Sequence, residues 1–267
     1  MKTQENSTGR PLADSNWLEN HHIAKLPERT AFAKELSALK PNSIVDLGCA
    51  TGLWLELLND YLPDECSFVG IDSDLESLNL AKKRSERWKR KAEFLHLDIE
   101  KDVRLIPSCD LTLAFNIFSY ISDLDIFLYL LSKRQPHGYL AVRQYDGASV
   151  RFGPMSTSDR QQMELDLRLS IESSQKFYHY DLDRSFNALH NALINTDYNN
   201  GEFGFELYKR TSPFPDSFIK YYMNTLEWTC QHISVSSAEK LKRWIDMDPD
   251  FKLQRYFYEV DLVAILS

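Results

Sequence analysis

Beyond a polar opening, short apolar runs alternate along the chain with stretches of helical period. Ser43-Ile44-Val45-Asp46-Leu47 is a compact strand, after which Leu53, Trp54, Leu57 and Leu58 fall on one helical face. Ser67 to Ile71 reads as a second strand, Glu93 to Leu97 as a third and Leu111 to Phe115 as a fourth. The stretch from Leu75 to Lys91 reads as helix. Leu124 to Leu131 reads as another, closed by the turn signal Pro136-His137-Gly138 and followed by a fifth strand, Tyr139 to Arg143. Strand and helix at this spacing predict a parallel sheet covered on both faces. Such sheets bind ligands at the carboxyl ends of their strands, beside the point where strand order reverses.

After residue 146 the rhythm changes, and no strand–helix unit is complete from Gly147 to Glu202. Ser156-Thr157-Ser158-Asp159 signals a helix start, and Ser185 to Ile194 carries a helical pattern. Met163, Leu165, Leu167, Leu169 and Ile171 alternate at a strand period among neighbours that favour helix, so the pattern leaves this segment open. Phe203 to Arg210 and Leu253 to Leu266 are strands, with Pro215 to Ile245 helical between them. Trp17 to Lys25 precede a helix beginning near Pro27. The expected organisation is a leader and helical lid over residues 1–40, then one domain over 41–267 in which 147–202 form a substrate-pocket insertion.

Composition narrows the function. The 267 residues carry 31 Lys and Arg against 39 Asp and Glu, a formal charge of −8. An acidic surface repels phosphate backbones and argues against nucleic acid as the main partner. The basic run Lys82, Lys83, Arg84, Arg87, Lys89, Arg90 and Lys91 reads as a solvated helix face. No run of about 18 apolar residues is present to span a membrane. The first 16 residues lack the apolar core of a secretory signal. Four scattered cysteines (Cys49, Cys66, Cys109, Cys230) offer neither zinc spacing nor a disulfide framework, so a reducing cytoplasm and no structural metal are expected. Of 33 aromatic residues, 20 lie beyond residue 140, to fill either a bulky core or a ligand pocket.

The chemistry concentrates in Val45-Asp46-Leu47-Gly48-Cys49-Ala50-Thr51-Gly52. A strand opens there into a loop of small residues whose N–H groups can approach a ligand, at the positive end of the next helix. Asp72, 20 residues after Gly52 at the end of the second strand, can accept both hydroxyls of a ribose. Asp98 follows the third strand and can meet an adenine amino group. The loop lacks the G-x-G-x-x-G of dinucleotide folds, and Asp46 would repel a pyrophosphate while suiting an ammonium group. That points away from NAD and toward S-adenosylmethionine, which carries a zwitterionic tail on adenosine.

The segments V-D-L-G-C-A-T-G, V-G-I-D-S-D, L-H-L-D-I and the strand from Asp110 to Tyr120 resemble, in order, the motifs of class I S-adenosylmethionine-dependent methyltransferases. The resemblance covers about residues 41–146. It implies a seven-stranded, mostly parallel α/β sheet with helices on both faces and the last strand antiparallel, carrying here a mainly helical insertion after the fifth strand. By the same resemblance Gly48, Cys49 and Gly52 line the methionine and ribose side of the cofactor. Asp72 holds the ribose hydroxyls, flanked by Ser73; Asp98 with Ile99 borders the adenine; Asn116 sits near the sulfonium.

Methyl transfer from a sulfonium needs alignment and exclusion of water more than a fixed catalytic group. Acceptor residues are therefore sought outside the motifs. The loop leaving the fifth strand presents Arg143, Tyr145 and Arg151. The cluster Phe177 to Arg184 presents His179, Tyr180 and Arg184. Arg143, Arg151 and Arg184 are candidate grips for an anionic group, with a structural ion-pair network the competing role. Tyr145 and His179 are candidate proton acceptors or orienters; Tyr120, Tyr180 and His22 are candidate acceptor contacts. The expected activity is methyl transfer to an O or N atom of a small molecule in specialised metabolism, by a monomer or homodimer. An RNA or protein methyltransferase and a non-catalytic S-adenosylmethionine-binding subunit are the alternatives.

Overall fold

The computed structural model describes residues 13–145, 149–174, 186–198 and 200–267. Five parallel strands form its nucleus: β1 (Ser43–Leu47), β2 (Ser67–Asp72), β3 (Ala92–His96), β4 (Leu111–Phe115) and β5 (Tyr139–Tyr145). Their spatial order is β3-β2-β1-β4-β5, so the order reverses between β1 and β4. The loops after these two strands open there into a crevice, the geometry in which such sheets place a ligand.

Beyond β5 the sheet turns antiparallel. β8 (Tyr256–Leu266) pairs with β5 through Asp261–Leu266 and with the two-residue β6 (Phe152–Gly153) through Tyr256–Phe257. Its other edge is taken over its full length by β7 (Gly201–Thr211). The sheet thus has eight strands where the sequence predicts seven. The additional strand is β6, and two residues are too few to show a period.

Helices α3 (Leu53–Asn59), α4 (Leu75–Ser85) and α5 (Leu124–Arg134) join the parallel strands. Asp74 and Asp123 cap the last two, accepting from Ser77 N at 3.0 Å and Ile126 N at 2.9 Å. Ahead of β1 run α1 (Ser15–Ala24) and α2 (Leu26–Ala38), so Trp17 to Lys25 largely form a helix of their own. One core, which includes α5 and α7 (Asn187–Ile194), covers one face of the sheet; α2, α3 and α4 build the other.

The insertion contains α6 (Thr157–Ser173), started by Ser156 Oγ accepting from Asp159 N at 3.1 Å. This settles the ambiguous segment: Met163, Leu167 and Ile171 are buried at i, i+4, i+8, while Leu165 and Leu169 are more than half exposed. α8 (Asp216–His232) and α9 (Val235–Asp246) complete the chain's helices among the described residues. The late aromatics chiefly build a third core, in which Tyr208, Phe214, Phe218, Tyr222, Phe251 and Phe257 pack around α8. Each such side chain withdraws about 150–250 Å² from water.

The basic stretch from the last turn of α4 onward is not a uniform surface. Arg90 is buried and donates to the carbonyls of Asn59, Leu62, Pro63 and Cys66, satisfying the end of α3 and the turn after it. Arg84 reaches Thr51 O, Glu56 and Glu19. The lysines and Arg87 remain in solvent.

Candidate functional site

The loop after β1 is held in a shape few sequences can adopt. Gly48, Ala50 and Gly52 have φ of +67°, +46° and +79°. At Gly48 a Cβ would lie 2.5 Å from Ile117 Cγ2, so this position is closed to any side chain. Ala50 is left-handed without being glycine, and its N–H donates to Asp72 Oδ2 at 2.8 Å, which secures the strained turn. Asp72 Oδ1 accepts from Asp74 N at 2.8 Å, and Cys49 N donates to Ile71 O at 2.9 Å. The end of β2 thereby holds the loop of β1. Burial raises the Asp72 carboxyl, although the N–H groups of Asp74 and Ala50 oppose that rise.

These residues line one cavity at the switch point. Its floor and one side come from the strand ends: Asp46, Gly48 and Cys49 after β1, Asp72 and Ser73 after β2, Asp98 and Ile99 after β3, Asn116 and Tyr120 after β4. Gly52 is not part of the wall. It caps α3, and its missing side chain leaves room for Ala81, whose Cβ would stand 3.2 Å from a Cβ there. Asn116 is left-handed, and its Oδ1 accepts from Tyr145 N at 3.1 Å, so its side-chain oxygen ties β4 to β5. Thr51 Oγ1, also in the wall, is buried without a hydrogen-bond partner among the described residues.

The opposite side comes from elements outside the motifs: α1 gives Trp17 and His21, α2 gives Arg29, β5 gives Tyr145 and α8 gives Tyr221. His21 stacks on Tyr221 with ring centroids 4.8 Å apart, and Trp17 meets the same ring edge-on. Burial lowers the His21 imidazole well below its usual range, and the charges of Arg29 and Lys25 lower it further. Arg29 is 7% exposed and lies over the Trp54 ring. It reaches His22 Nδ1 at 2.7 Å and His21 Nδ1 at 3.5 Å, and it has no carboxylate partner among the described residues. Burial and the nearby Arg143 lower it to about 10.

Asp46 is its counterpart. It is 2% exposed, has no hydrogen-bond or ion-pair partner among the described residues, and is pushed well up by burial and then by Asp72. The Arg29 charge opposes that rise, yet the two side chains form no ion pair. A buried guanidinium and a buried carboxyl thus border one cavity without pairing directly. Neither the histidine nor the arginine carries a local sequence signature. Their place depends on how α1 and α2 pack over the sheet.

Several predicted acceptor residues lie elsewhere. Arg143 does not line the cavity: its Nε donates to Asp261 Oδ2 at 2.8 Å, and its other end contacts Glu206. Arg151 is likewise turned to Glu259, which also accepts from Tyr221 Oη at 2.6 Å. Lys25 Nζ completes the network at 3.0 Å from both Glu259 and Asp261. Burial alone would raise Glu259, but Lys25 and Arg151 outweigh it and hold the carboxyl well below the usual range. Both arginines therefore serve the structural network. The corrections share one physical reason, since β8 brings Glu259 and Asp261 beside them and buried charges pair with the nearest opposite charge.

His22 faces Arg29 and is not in the cavity wall; its neighbour His21 is. Tyr145 and Tyr120 are in the wall, and burial raises the Tyr120 hydroxyl. His179, Tyr180 and Arg184 lie outside the described residues, as does the loop of residues 146–148.

Residues 44–132 match the methyltransferase domain family. Over that third of the chain it is similar to methyltransferase domains. The match begins in β1 and ends in α5, the span that builds the motif side of the cavity. Trans-aconitate 2-methyltransferases of Rhodopseudomonas palustris strains BisB5 and HaA2 are each 28% identical over 137 residues, 49% of this chain and 51% of theirs. The chain thus spans about half the length of the curated relatives it matches. Among solved structures, the YcgJ protein of Bacillus subtilis aligns at TM-score 0.52 and 12% identity over 90% of this chain and 98% of its own. The precorrin-6y C5,15-methyltransferase of Geobacter metallireducens aligns at TM-score 0.51 and 8% identity over 90% and 89%. At this identity the likeness is one of fold, and it extends to the helices outside the family match. Among the described residues no helix is long and apolar enough to cross a membrane, and no cluster of His, Cys, Asp or Glu is placed to hold a metal ion.

Proposed function

We propose that the protein is an S-adenosylmethionine-dependent methyltransferase whose acceptor is a small molecule, methylated on O or N. The observation that carries this reading is the unneutralised pair Asp46 and Arg29 bordering a cavity at the switch point. A zwitterionic amino-acid tail satisfies both charges at once, Asp46 meeting its ammonium and Arg29 its carboxylate. Thr51 Oγ1, without a partner among the described residues, offers one more group in the same wall. Asp72 would hold the ribose hydroxyls with the lone pairs its two backbone contacts leave, beside Ser73. Asp98 and Ile99 would border the adenine, and Gly48 lets the loop backbone approach the ligand. The residues present therefore fit the cofactor.

When bound, that cofactor supplies a methyl group on a sulfonium, a reactive donor. The chain's own residues have to exclude water and orient the acceptor. Trp17, His21, Tyr145 and Tyr221 form the acceptor side, and we assign α1 and α2 as its cover; none of the described residues of 147–202 lines the cavity. A small acceptor suits a cavity walled by helices and aromatic rings. The curated relatives, named for trans-aconitate, act on an acceptor of that size.

Calorimetric titration of the purified protein with S-adenosylhomocysteine tests the reading. Roughly micromolar binding, about −8 kcal/mol, is expected. Asp72→Ala should weaken it at least 100-fold while the far-ultraviolet dichroism stays native. Folded, ligand-free protein that does not bind would overturn the assignment.

A further inference from the structure

The outer edge of the cavity's cover is fastened by a residue that belongs to none of the sequence motifs. α1 passes over the cavity and gives it Trp17, Leu18 and His21. Successive residues of a helix turn by about 100°, so Trp17 and His21 share one edge of that face, while Glu19 lies about 200° round from Trp17. The first edge rests on α8, where Trp17 and His21 both pack on the Tyr221 ring. From the other edge Glu19 meets Arg84, in the last turn of α4. α1 therefore spans from α8 on the acceptor side to α4, whose Ser77 lines the cavity on the motif side.

The two attachments differ in kind. At the end of α1, Lys25 is buried with Glu259 and Asp261, and Ala24 O accepts from Tyr208 Oη at 2.9 Å. The Glu19 side chain is 38% exposed and that of Arg84 21%, so water and salt reach this contact and not the buried one.

Arg84 also grips the loop that the cover closes on. Its Nε donates to Thr51 O at 2.9 Å and its Nη1 to Glu56 Oε2 at 2.6 Å, while Nη2 serves Glu19. Thr51 is part of the glycine loop and of the cavity wall, and Glu56 stands in the first turn of the helix that follows it. The guanidinium is planar and its donors point in fixed directions, so one side chain ties the loop, α3 and α1 together. A lone exposed ion pair contributes little, whereas a fork with acceptors on three elements is a network.

We propose that Arg84 is a positioning residue that holds α1 shut over the bound cofactor through Glu19, and that this contact is the one that opens for cofactor exchange. This rests on the methyltransferase reading, which makes S-adenosylmethionine or its product the ligand of the loop. The consequence is kinetic. Lys25 and the stack on Tyr221 keep α1 in place at its other attachments, so parting Glu19 from Arg84 frees one edge without unfolding the helix. The ligand then leaves faster while global stability stays nearly the same.

The test is the dissociation rate of S-adenosylhomocysteine from the immobilised full chain, followed by surface plasmon resonance. Glu19→Gln removes the charge, keeps the shape and leaves the contacts of Arg84 with Thr51 and Glu56 intact. Loss of one charge-assisted hydrogen bond is expected to speed release about tenfold, with Tm within about 3 °C of the wild type. Arg84→Met should speed release at least as much. Adding Glu19→Gln to Arg84→Met should then change the rate by less than about twofold, because both cut the same link. Raising the ionic strength from about 0.05 to 0.5 M should speed release from the wild type and leave Glu19→Gln unmoved.

A change smaller than about threefold in Glu19→Gln overturns the proposal, as do independent effects of the two substitutions or wild-type release indifferent to salt. A larger Tm loss in Glu19→Gln also overturns it, since the pair would then be a general structural contact. Folded wild-type protein that does not bind S-adenosylhomocysteine sinks the underlying reading as well. Binding followed by any of the other failures sinks this inference alone.

Discussion

Arg143→Met separates a structural arginine from a substrate grip. The Arg143 side chain is 4% exposed, and its guanidinium binds Asp261, which is 3% exposed, and Glu206, which is 34% exposed. Methionine keeps much of the stem's volume and removes the charge. Glu206 can turn to water, so its loss is small. Asp261 cannot, but it retains Lys25 Nζ at 3.0 and 3.2 Å. Breaking a buried pair costs about 3–5 kcal/mol when the remaining charge is stranded. Since Asp261 keeps one cation, the low end applies, about 3 kcal/mol. For a chain of this size each kcal/mol moves Tm by roughly 2–4 °C, which predicts a fall of about 6–12 °C. Scanning calorimetry of the ligand-free protein measures it, with S-adenosylhomocysteine affinity as the control. A Tm change within about 2 °C, together with a tenfold rise in acceptor KM, would refute the network and return Arg143 to the acceptor.

Other outcomes follow from single contacts. Gly48→Ala places a Cβ 2.5 Å from Ile117 at φ +67°; a cost of about 1–3 kcal/mol and at least a tenfold loss in S-adenosylhomocysteine affinity are expected by denaturation and calorimetry. Ile171→Ala should cost about 2–4 kcal/mol and Leu169→Ala within about 0.5, read by urea unfolding; equal losses would contradict the buried face of α6. Stability should fall as pH drops from about 6.5 toward 3. In the folded protein burial and then Arg29 lower His22 to about 3, and His21 is lowered too, whereas unfolded histidines take up protons near 6.5. Acid therefore favours the unfolded chain, and His22→Gln should flatten that limb in unfolding measured from pH 7 to 4.

Local patterning was enough for the parallel half of this protein. β1 and β4 are the predicted strands residue for residue, because their apolar runs are bounded by turn residues and both faces of the sheet are buried. The glycine loop and Asp72 were legible for a related reason: a left-handed turn and a carboxylate one strand further on are local requirements, written in residue type and spacing. α6 was not legible, since Leu165 and Leu169 imitate a strand period while standing in solvent. The side of the cavity opposite the motifs was decided by long-range packing. Whether Arg143 and Arg151 hold a substrate or a network depends on Glu259 and Asp261, more than 100 positions away and brought alongside only when β8 enters the sheet. Likewise, which of His21 and His22 enters the cavity depends on the rotation of α1 against α8. Charge pairing and burial are properties of neighbours in space, and those neighbours exist only in the folded chain.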